Sequence, residues 1–399
     1  MRILSILWYS PPSLIYGGAE RQMHSLHKGL ISRGADVQVL ADISQVRAPY
    51  QKFEKVPVWG TPFPRLTCSV FHPWNIKFWV DLHIMLRLVK NKIAPVDLIQ
   101  LTPLREPALY AHWLSKHLNI PWIARIACSG AYGDFHYMSG NWLTKRLLPD
   151  LVDSCSTAVV LDDETRKEAL NSGFSKDKIV LISNSLVLEK FPSLEDAQKI
   201  PEEGVILYVG RIALQKRLES LVKAYGTCKF LGMRARNGTL PPLNLIGGGD
   251  NDSLKKIVQQ CGVQNDVYFH GHQPNPERFF PNAVCFINPS ESEGFPNAVL
   301  EACAFGVPVI LSDIPVHRKI AADVGMEDFL FPVGDEKVLS EKLLAFLNLT
   351  KEQMMSKRIR CAEYAQRRSC QFRDNAYLAL YEKVLNRNKG RHALGDKTF

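Results

Sequence analysis

Short β-branched runs alternate with stretches of helical periodicity along almost the whole chain, and this alternation constrains the fold more than any other feature. Strands that recur with helices between them build parallel sheets joined by crossover helices. The first series of predicted strands is Ile3–Trp8, Val37–Leu40, Asp97–Leu101, Trp122–Ala127, Ala158–Leu161 and Ile179–Ile182, with a helix over Ala19–Arg33 that stops at Gly34. A second series restarts at Val205–Val209 and continues through Leu243–Ile246, Val267–Phe269, Val284–Ile287, Val307–Leu311 and Phe329–Phe331. Its helices are predicted at Leu218–Tyr225, Asp252–Cys261, Ala298–Ala304 and Glu336–Leu347, and Lys351–Asn388 reads as a charged helical tail. Ser185–Gly204 is polar, carries two prolines and has no strand pattern, so it marks a boundary. The expectation is an α/β protein of two Rossmann-like, doubly wound domains facing a cleft, residues 1–190 and 204–370. Such sheets bind ligands at the carboxyl ends of their strands.

Two stretches interrupt the pattern. Tyr50–Trp79 is aromatic-rich and broken by prolines, and it reads as a long irregular insert. Trp74–Lys92 then places apolar residues at helical spacing beside Lys77, Arg87, Lys90 and Lys92. That pattern suits either a packed surface helix or a basic amphipathic helix on an anionic membrane. Charge sharpens the question: the chain carries a formal +9, and residues 1–150 hold 17 lysines and arginines against 9 acids. A basic first domain favours an anionic partner, an acidic membrane surface or a phosphate-bearing acceptor ahead of nucleic acid, or else is a solvated basic surface.

The nine cysteines are scattered, with no CxxC pair and no Cys/His cluster at zinc spacing, so a reduced compartment and no metal are expected. No run approaches the ~18 to 20 apolar residues that span a bilayer, and Met1–Leu7 is too short for a signal-peptide core. The expected location is the cytoplasm.

Four segments can carry chemistry. Tyr16-Gly17-Gly18-Ala19-Glu20-Arg21 is a Gly-Gly turn entering a helix, where backbone N–H groups can approach an anion, although many such turns bind nothing. Leu245-Ile246-Gly247-Gly248-Gly249-Asp250 imitates a dinucleotide fingerprint but puts Asp252 where the pattern needs Gly or Ala, which argues against a nicotinamide or flavin site. Gly210-Arg211 through Lys216-Arg217 follows a strand and offers a guanidinium and an ammonium suited to a diphosphate. Asn288-Pro289-Ser290 then leads through Glu291, Glu293, Gly294 and Phe295 to a helix with Pro296 near its first turn and Gly306 past its end. Glu291 reads as a solvated loop charge. Carboxylates at such a helix mouth address hydroxyl groups, since they repel phosphate.

These segments, in this order, resemble the retaining glycosyltransferases of family 4, which have the GT-B fold. The matching pieces are YGGAERQMHSLHKGLISRGADVQVL, ISNSLVLEKF, YVGRIALQKRLESLVKAY and NPSESEGFPNAVLEACAFGVPVILSD, and the most specific element is the E-x7-E spacing from Glu293 to Glu301. The resemblance implies that Arg211 and Lys216 neutralise the donor diphosphate. It implies that Glu293 holds hydroxyls of the transferred sugar and that Glu301 binds the ribose. Backbone groups of Gly294, Phe295, Pro296, Asn297 and Ala298 would surround sugar and phosphates, beside Gly210 and Gly248, with Gly17 and Gly18 closing from the first domain. It also implies that the C-terminal helix of residues 371–399 packs back on that domain.

One departure stands out. Where many relatives carry a first-domain histidine near the donor sugar, this chain reads Ala124-Arg125-Ile126-Ala127-Cys128-Ser129-Gly130, so Ser129, Asp134 or His136 would have to serve. The implied activity is metal-independent and cofactor-free transfer of a hexose from a nucleotide-diphosphate sugar, a UDP-sugar by family frequency. The acceptor is lipid-linked or a saccharide, and the transfer retains anomeric configuration. The implied partners are the nucleotide sugar, that acceptor and an anionic membrane face, with surface polysaccharide or glycolipid assembly as the setting. The rival reading is an inactive nucleotide-sugar-binding assembly subunit. A pyridoxal-dependent phosphorylase is a third, for which the chain is short.

Overall fold

In the computed structural model the chain divides into two units, Met1–Val187 with Cys370–Phe399, and Leu188–Ser369. The structure describes every residue except 9, 11–17, 47, 64–73, 141, 189–191, 202–203, 233–239 and 396–399, and for 45, 74–78 and 389–395 only the backbone.

The first unit is built on eight strands, β1 (Arg2–Leu7), β2 (Asp36–Asp42), β3 (Tyr50–Phe53), β4 (Val56–Thr61), β5 (Leu98–Thr102), β6 (Trp122–Arg125), β7 (Thr157–Val160) and β8 (Ile179–Leu181). They run β3-β4-β2-β1-β5-β6-β7-β8 across the sheet, with every pairing parallel except β3 to β4. Helices α1 (Gly18–Ser32), α2 (Ile43–Val46), α3 (Trp74–Leu88), α4 (Ala108–Leu118), α5 (Asp134–Gly140), α6 (Trp142–Ser154) and α7 (Asp163–Asn171) lie between them. Successive side chains of a strand point to opposite faces, and here both faces are covered. Leu4 and Ile6 of β1 join one buried apolar cluster while Ile3 and Leu7 join the other.

The insert expected to be irregular contains a strand pair. β3 and β4 meet through Glu54 and Lys55, both at positive φ (46° and 73°), the backbone of a tight hairpin turn. Such turns normally announce themselves with Asn-Gly or Asp-Gly; Glu-Lys conceals this one.

The second unit carries β9 (Val205–Val209), β10 (Leu243–Ile246), β11 (Val267–Gly271), β12 (Ala283–Asn288), β13 (Val309–Ser312) and β14 (Leu330–Phe331), all parallel, in the order β11-β10-β9-β12-β13-β14. Its helices are α8 (Leu194–Gln198), α9 (Leu218–Phe230), α10 (Asp252–Gln260), α11 (Asn297–Ala304), α12 (Pro315–Val324), α13 (Glu336–Leu347) and α14 (Lys351–Gln366). The chain winds outward from β9 to β11, then returns to place β12 on the other side of β9. The strand order therefore reverses at β9 and β12, and sheets of this kind bind ligands at the carboxyl ends of the strands where that happens. The strand expected over Val307–Leu311 begins at Val309, because Pro308 has no N–H for the ladder.

The tail is two helices, not one: the chain bends at residues 367–369 and continues as α15 (Cys370–Gly395), which belongs to the first unit. Tyr377, Leu380 and Tyr381 of α15 share a buried cluster with Met23, Leu26 and Leu30 of α1. The Arg373 guanidinium donates to the Gln22 carbonyl and side-chain oxygens and to Asp374, which also receives Arg33 at 3.1 Å. Gly29 permits this approach, since a Cβ there would lie 1.9 Å from a carboxylate oxygen of Asp374.

Candidate active site

The site is assembled from loops at the carboxyl ends of β9, β10 and β12. After β9 the Tyr208 hydroxyl donates to the Arg211 carbonyl at 2.9 Å and curls the loop. Gly210 N donates to the Ile246 carbonyl and Ile212 N to the Gly248 carbonyl, each at 2.9 Å, so the loops after β9 and β10 lie side by side. Gly247 is what lets them touch: its φ is +152°, and a Cβ would sit 1.8 Å from the Gly210 carbonyl oxygen. Gly248 has room for a side chain: the nearest atom to where its Cβ would be is His272 Cβ at 3.6 Å, an ordinary contact. The near-fingerprint glycines therefore serve loop contact and clearance.

The loop after β12 is bound to the loop after β9 at four points. Glu291 N donates to the Gln215 carbonyl at 3.0 Å, and Gln215 Nε2 donates to the Ser292 carbonyl at 2.7 Å. Arg217 Nε donates to Glu291 Oε2 at 2.6 Å, and Lys216 Nζ donates to Glu293 Oε1 at 2.6 Å. Glu291 is thus half-buried and ion-paired, not a solvated loop charge. Arg217 adopts a left-handed backbone (φ 48°) directly before α9.

Glu293 is largely buried, its side chain 11% exposed. Its Oε1 faces Lys216, Asn288 Nδ2 at 3.1 Å and Ser290 Oγ at 2.8 Å, whereas Oε2 has no partner among the described residues. Burial alone would raise its pKa; Lys216, foremost, and the Ser290 hydroxyl outweigh that and hold the carboxyl below its ordinary value. The group is an anion with one oxygen fixed and the other available to accept a hydroxyl. Lys216 gives Glu293 one of its three N–H groups and keeps two for another anion. Arg211 is exposed, and no hydrogen bond or ion pair holds its guanidinium among the described residues.

Gly294 and Pro296 are buried, Phe295, Asn297 and Ala298 are half-buried, and α11 begins at Asn297 with no side chain capping its N-terminus. Glu301 lies one turn into α11, 5% exposed. Among the second-unit positions expected at the site, these loop contacts bring together the segments of Gly210, Gly248, Lys216 and Glu293, and Gly294–Ala298 lead from Glu293 into α11.

The first-unit candidates fare differently. Gly17 lies outside the described residues, and Gly18 is the exposed first residue of α1. Asp134 is fully buried and committed: Oδ2 accepts from Ala127 N at 2.6 Å and Oδ1 from Arg105 Nε at 3.1 Å. It shapes the loop after β6, and burial raises its pKa against the pull of Arg105 and Ala127. Both of its carboxylate oxygens are thus engaged within the first unit. Ser129 is half-buried and His136 exposed, and the loop carrying Ser129 is held by Glu168, whose Oε1 accepts from Gly130 N at 2.6 Å. No spacing in the sequence pointed to Glu168, which lies 38 residues away from its partner.

The chain is similar to known proteins in both sequence and fold. The family described as Glycosyltransferase Family 4 matches residues 16–190, and that described as Glycosyl transferases group 1 matches residues 175–368. An uncharacterized glycosyltransferase of Methanocaldococcus jannaschii is 24% identical over 79% of this chain and 81% of its own length. A capsular polysaccharide biosynthesis glycosyltransferase of Staphylococcus aureus is 24% identical over 51% of this chain and 55% of its own. Other alignments take in between 39% and 78% of the relative's length. The fold matches that of Anabaena HepE, solved with UDP and glucose, at a TM-score of 0.72 and 15% identity over 96% of this chain and 99% of that one. With the two family matches running together from residue 16 to 368, this chain belongs to the family 4 glycosyltransferases of the GT-B type.

Proposed function

We propose that this glycosyltransferase moves a hexose from a nucleotide-diphosphate sugar, a UDP-sugar, to a lipid-linked or saccharide acceptor, with retention of anomeric configuration. One observation carries the reading: Lys216 and Glu293 meet at 2.6 Å across the β9/β12 crevice, with an ammonium still able to donate and a carboxylate oxygen still able to accept. A sugar diphosphate presents both complements, anionic phosphate beside hydroxyl groups. Arg211 and Lys216 would stabilise charge on the departing diphosphate, the largest electrostatic demand of the reaction. Glu293 Oε2 would accept a sugar hydroxyl and Glu301 the ribose. Retention follows if the acceptor attacks the face the diphosphate leaves and a phosphate oxygen takes its proton, so that no carboxylate need act as nucleophile.

The Staphylococcus relative and the UDP- and glucose-bound neighbour support capsule-type assembly and a uridine donor. The lipid-linked acceptor draws support from α3, where Val80 and Ile84 are exposed, with exposed Arg87 in its last turn and exposed Lys90 and Lys92 in the π-helical turn Val89–Ile93 that follows. Such a face suits the surface of an anionic membrane.

The test is a thermal-shift screen of UDP, GDP and ADP sugars, followed by the anomeric configuration of any product by NMR. A ligand at 100 times its Kd adds about 2.7 kcal/mol, well within reach of the method. A shift by one nucleotide class together with an axial-to-axial or equatorial-to-equatorial product is expected. No shift by any sugar nucleotide overturns the reading, and binding without transfer or hydrolysis establishes the inactive assembly subunit instead.

A further inference from the structure

Behind Glu293 lies a chain of polar groups that the E-x7-E motif does not contain. His317, on α12, is fully buried, with Nδ1 at 2.9 Å from the Ser312 carbonyl oxygen and 3.1 Å from Ser312 Oγ. A carbonyl can only accept, so Nδ1 carries the proton and Nε2 the lone pair. Ser312, at the end of β13, donates its hydroxyl to the Ser290 carbonyl. Ser290 in turn places Oγ at 2.8 Å from Glu293 Oε1 and 2.6 Å from Asn288 Oδ1. Ser290, Ser312 and His317 are all 0% exposed. Burial keeps His317 neutral, with its pKa down at about 4 in spite of Glu293 and the Ser312 carbonyl.

We propose that His317 and Ser312 are positioning residues for Glu293, fixing the carboxylate for the hydroxyls of the donor sugar. The proposal rests on the donor reading above and adds to it. Ser290 lies past the end of β12, with its N–H on Asn288 Oδ1 at 3.2 Å, so the orientation of its hydroxyl depends on that contact together with the grip on its carbonyl. That grip is the Ser312 hydroxyl, and the imidazole N–H sets which way that hydroxyl donates. Buried hydrogen-bonded chains of this kind hold geometry more tightly than their separate bonds, and a clamp misplaced by about 1 Å loses about 100-fold in rate. A purely packing role for His317 would make apolar replacement harmless to ligand discrimination. Arg211, on the loop after β9, makes none of these contacts, and Lys216 touches the chain only at its Glu293 end, so binding of the bare diphosphate is a separate readout from binding of the sugar.

The experiment measures binding of UDP, GDP and ADP, and of UDP-glucose, UDP-galactose, UDP-N-acetylglucosamine, GDP-mannose and ADP-glucose, to the full chain and its variants by calorimetry. In His317→Leu the preferred nucleotide sugar is expected to weaken about tenfold relative to its own diphosphate, a loss of one hydrogen bond's order. His317→Asn, whose amide can replace the Nδ1–H donor, is expected to recover most of that ratio, and Ser312→Ala to lower it. Should His317→Leu not fold, His317→Asn and Ser312→Ala carry the comparison. Equal weakening of diphosphate and sugar nucleotide, or an unchanged ratio in both His317→Leu and Ser312→Ala, overturns the positioning role and leaves the donor reading standing. Binding of no sugar nucleotide by the unaltered chain overturns the donor reading itself.

Discussion

Lys216 Nζ and Glu293 Oε1 lie 2.6 Å apart although 77 residues separate them, and both side chains are mostly shielded from water, at 15% and 11% exposed. The pair is a buried ion pair laid across the crevice between β9 and β12, and its energetics can be read independently of catalysis.

Removing one partner leaves the other as an uncompensated buried charge. Lys216→Met is therefore expected to destabilise the second unit by about 3 kcal/mol, and Lys216→Met with Glu293→Gln to recover most of that loss while activity stays absent. Urea unfolding of both variants decides it; a double variant as unstable as the single would show that the pair is not the cause.

Arg211 is exposed and no partner among the described residues holds it, so its replacement should be silent in stability. Arg211→Ala is expected to change unfolding free energy by less than about 0.5 kcal/mol while transfer is lost. An Arg211→Ala enzyme with normal turnover would remove this residue from the diphosphate site.

Gly247 and Gly248 are neighbours with opposite constraints. Gly247→Ala drives a methyl to 1.8 Å from the Gly210 carbonyl oxygen, whereas Gly248→Ala meets nothing within 3.6 Å. The first is expected to cost on the order of 3 kcal/mol and to separate the β9 and β10 loops; the second is expected to fold normally. Comparable melting temperatures for the two would contradict this loop contact.

His27 of α1 is buried, with neither ring nitrogen hydrogen-bonded among the described residues, and burial pushes its pKa down to about 3, assisted by His24 and Arg373. A histidine with a lowered folded pKa contributes its full stability above its unfolded value of ~6.5 and loses it as pH falls toward the folded value. Unfolding free energy should therefore fall between pH 6.5 and 3, and His27→Leu should flatten that slope without loss at pH 7. A steeper acid transition in His27→Leu would assign the sensitivity to other groups.

The exposed face of α3 gives the membrane reading its own test. Ile84→Asp is expected to reduce co-sedimentation with phosphatidylglycerol vesicles several-fold, since a charge replaces apolar area worth roughly 1.5 to 3 kcal/mol when buried. No vesicle binding by the unaltered protein at low salt would dismiss α3 as the contact.

Much of this protein was legible without coordinates. Strand and helix alternation announced two doubly wound units, and E-x7-E, Arg211 and Lys216 were each recognisable as residues at strand ends. What local pattern missed was long-range or unsigned: the β3–β4 hairpin turns on Glu54-Lys55 with no Gly or Asn, and Glu168 reaches the Gly130 loop from another helix. Nor does any local pattern show that Asp134 takes Ala127 N on one carboxylate oxygen and Arg105 on the other.

The sequence by itself determined the periodicities, the glycines that can bear positive φ, and the chemical types waiting at each strand end. Which strand ends meet was decided by tertiary structure. The order β11-β10-β9-β12-β13-β14 sets β9 beside β12, and only then do Lys216, Glu293, Ser290 and, through Ser312, His317 come within hydrogen-bond distance. The physical reason is that periodicity records which face of an element is buried, while the neighbour it is buried against depends on how the whole sheet winds.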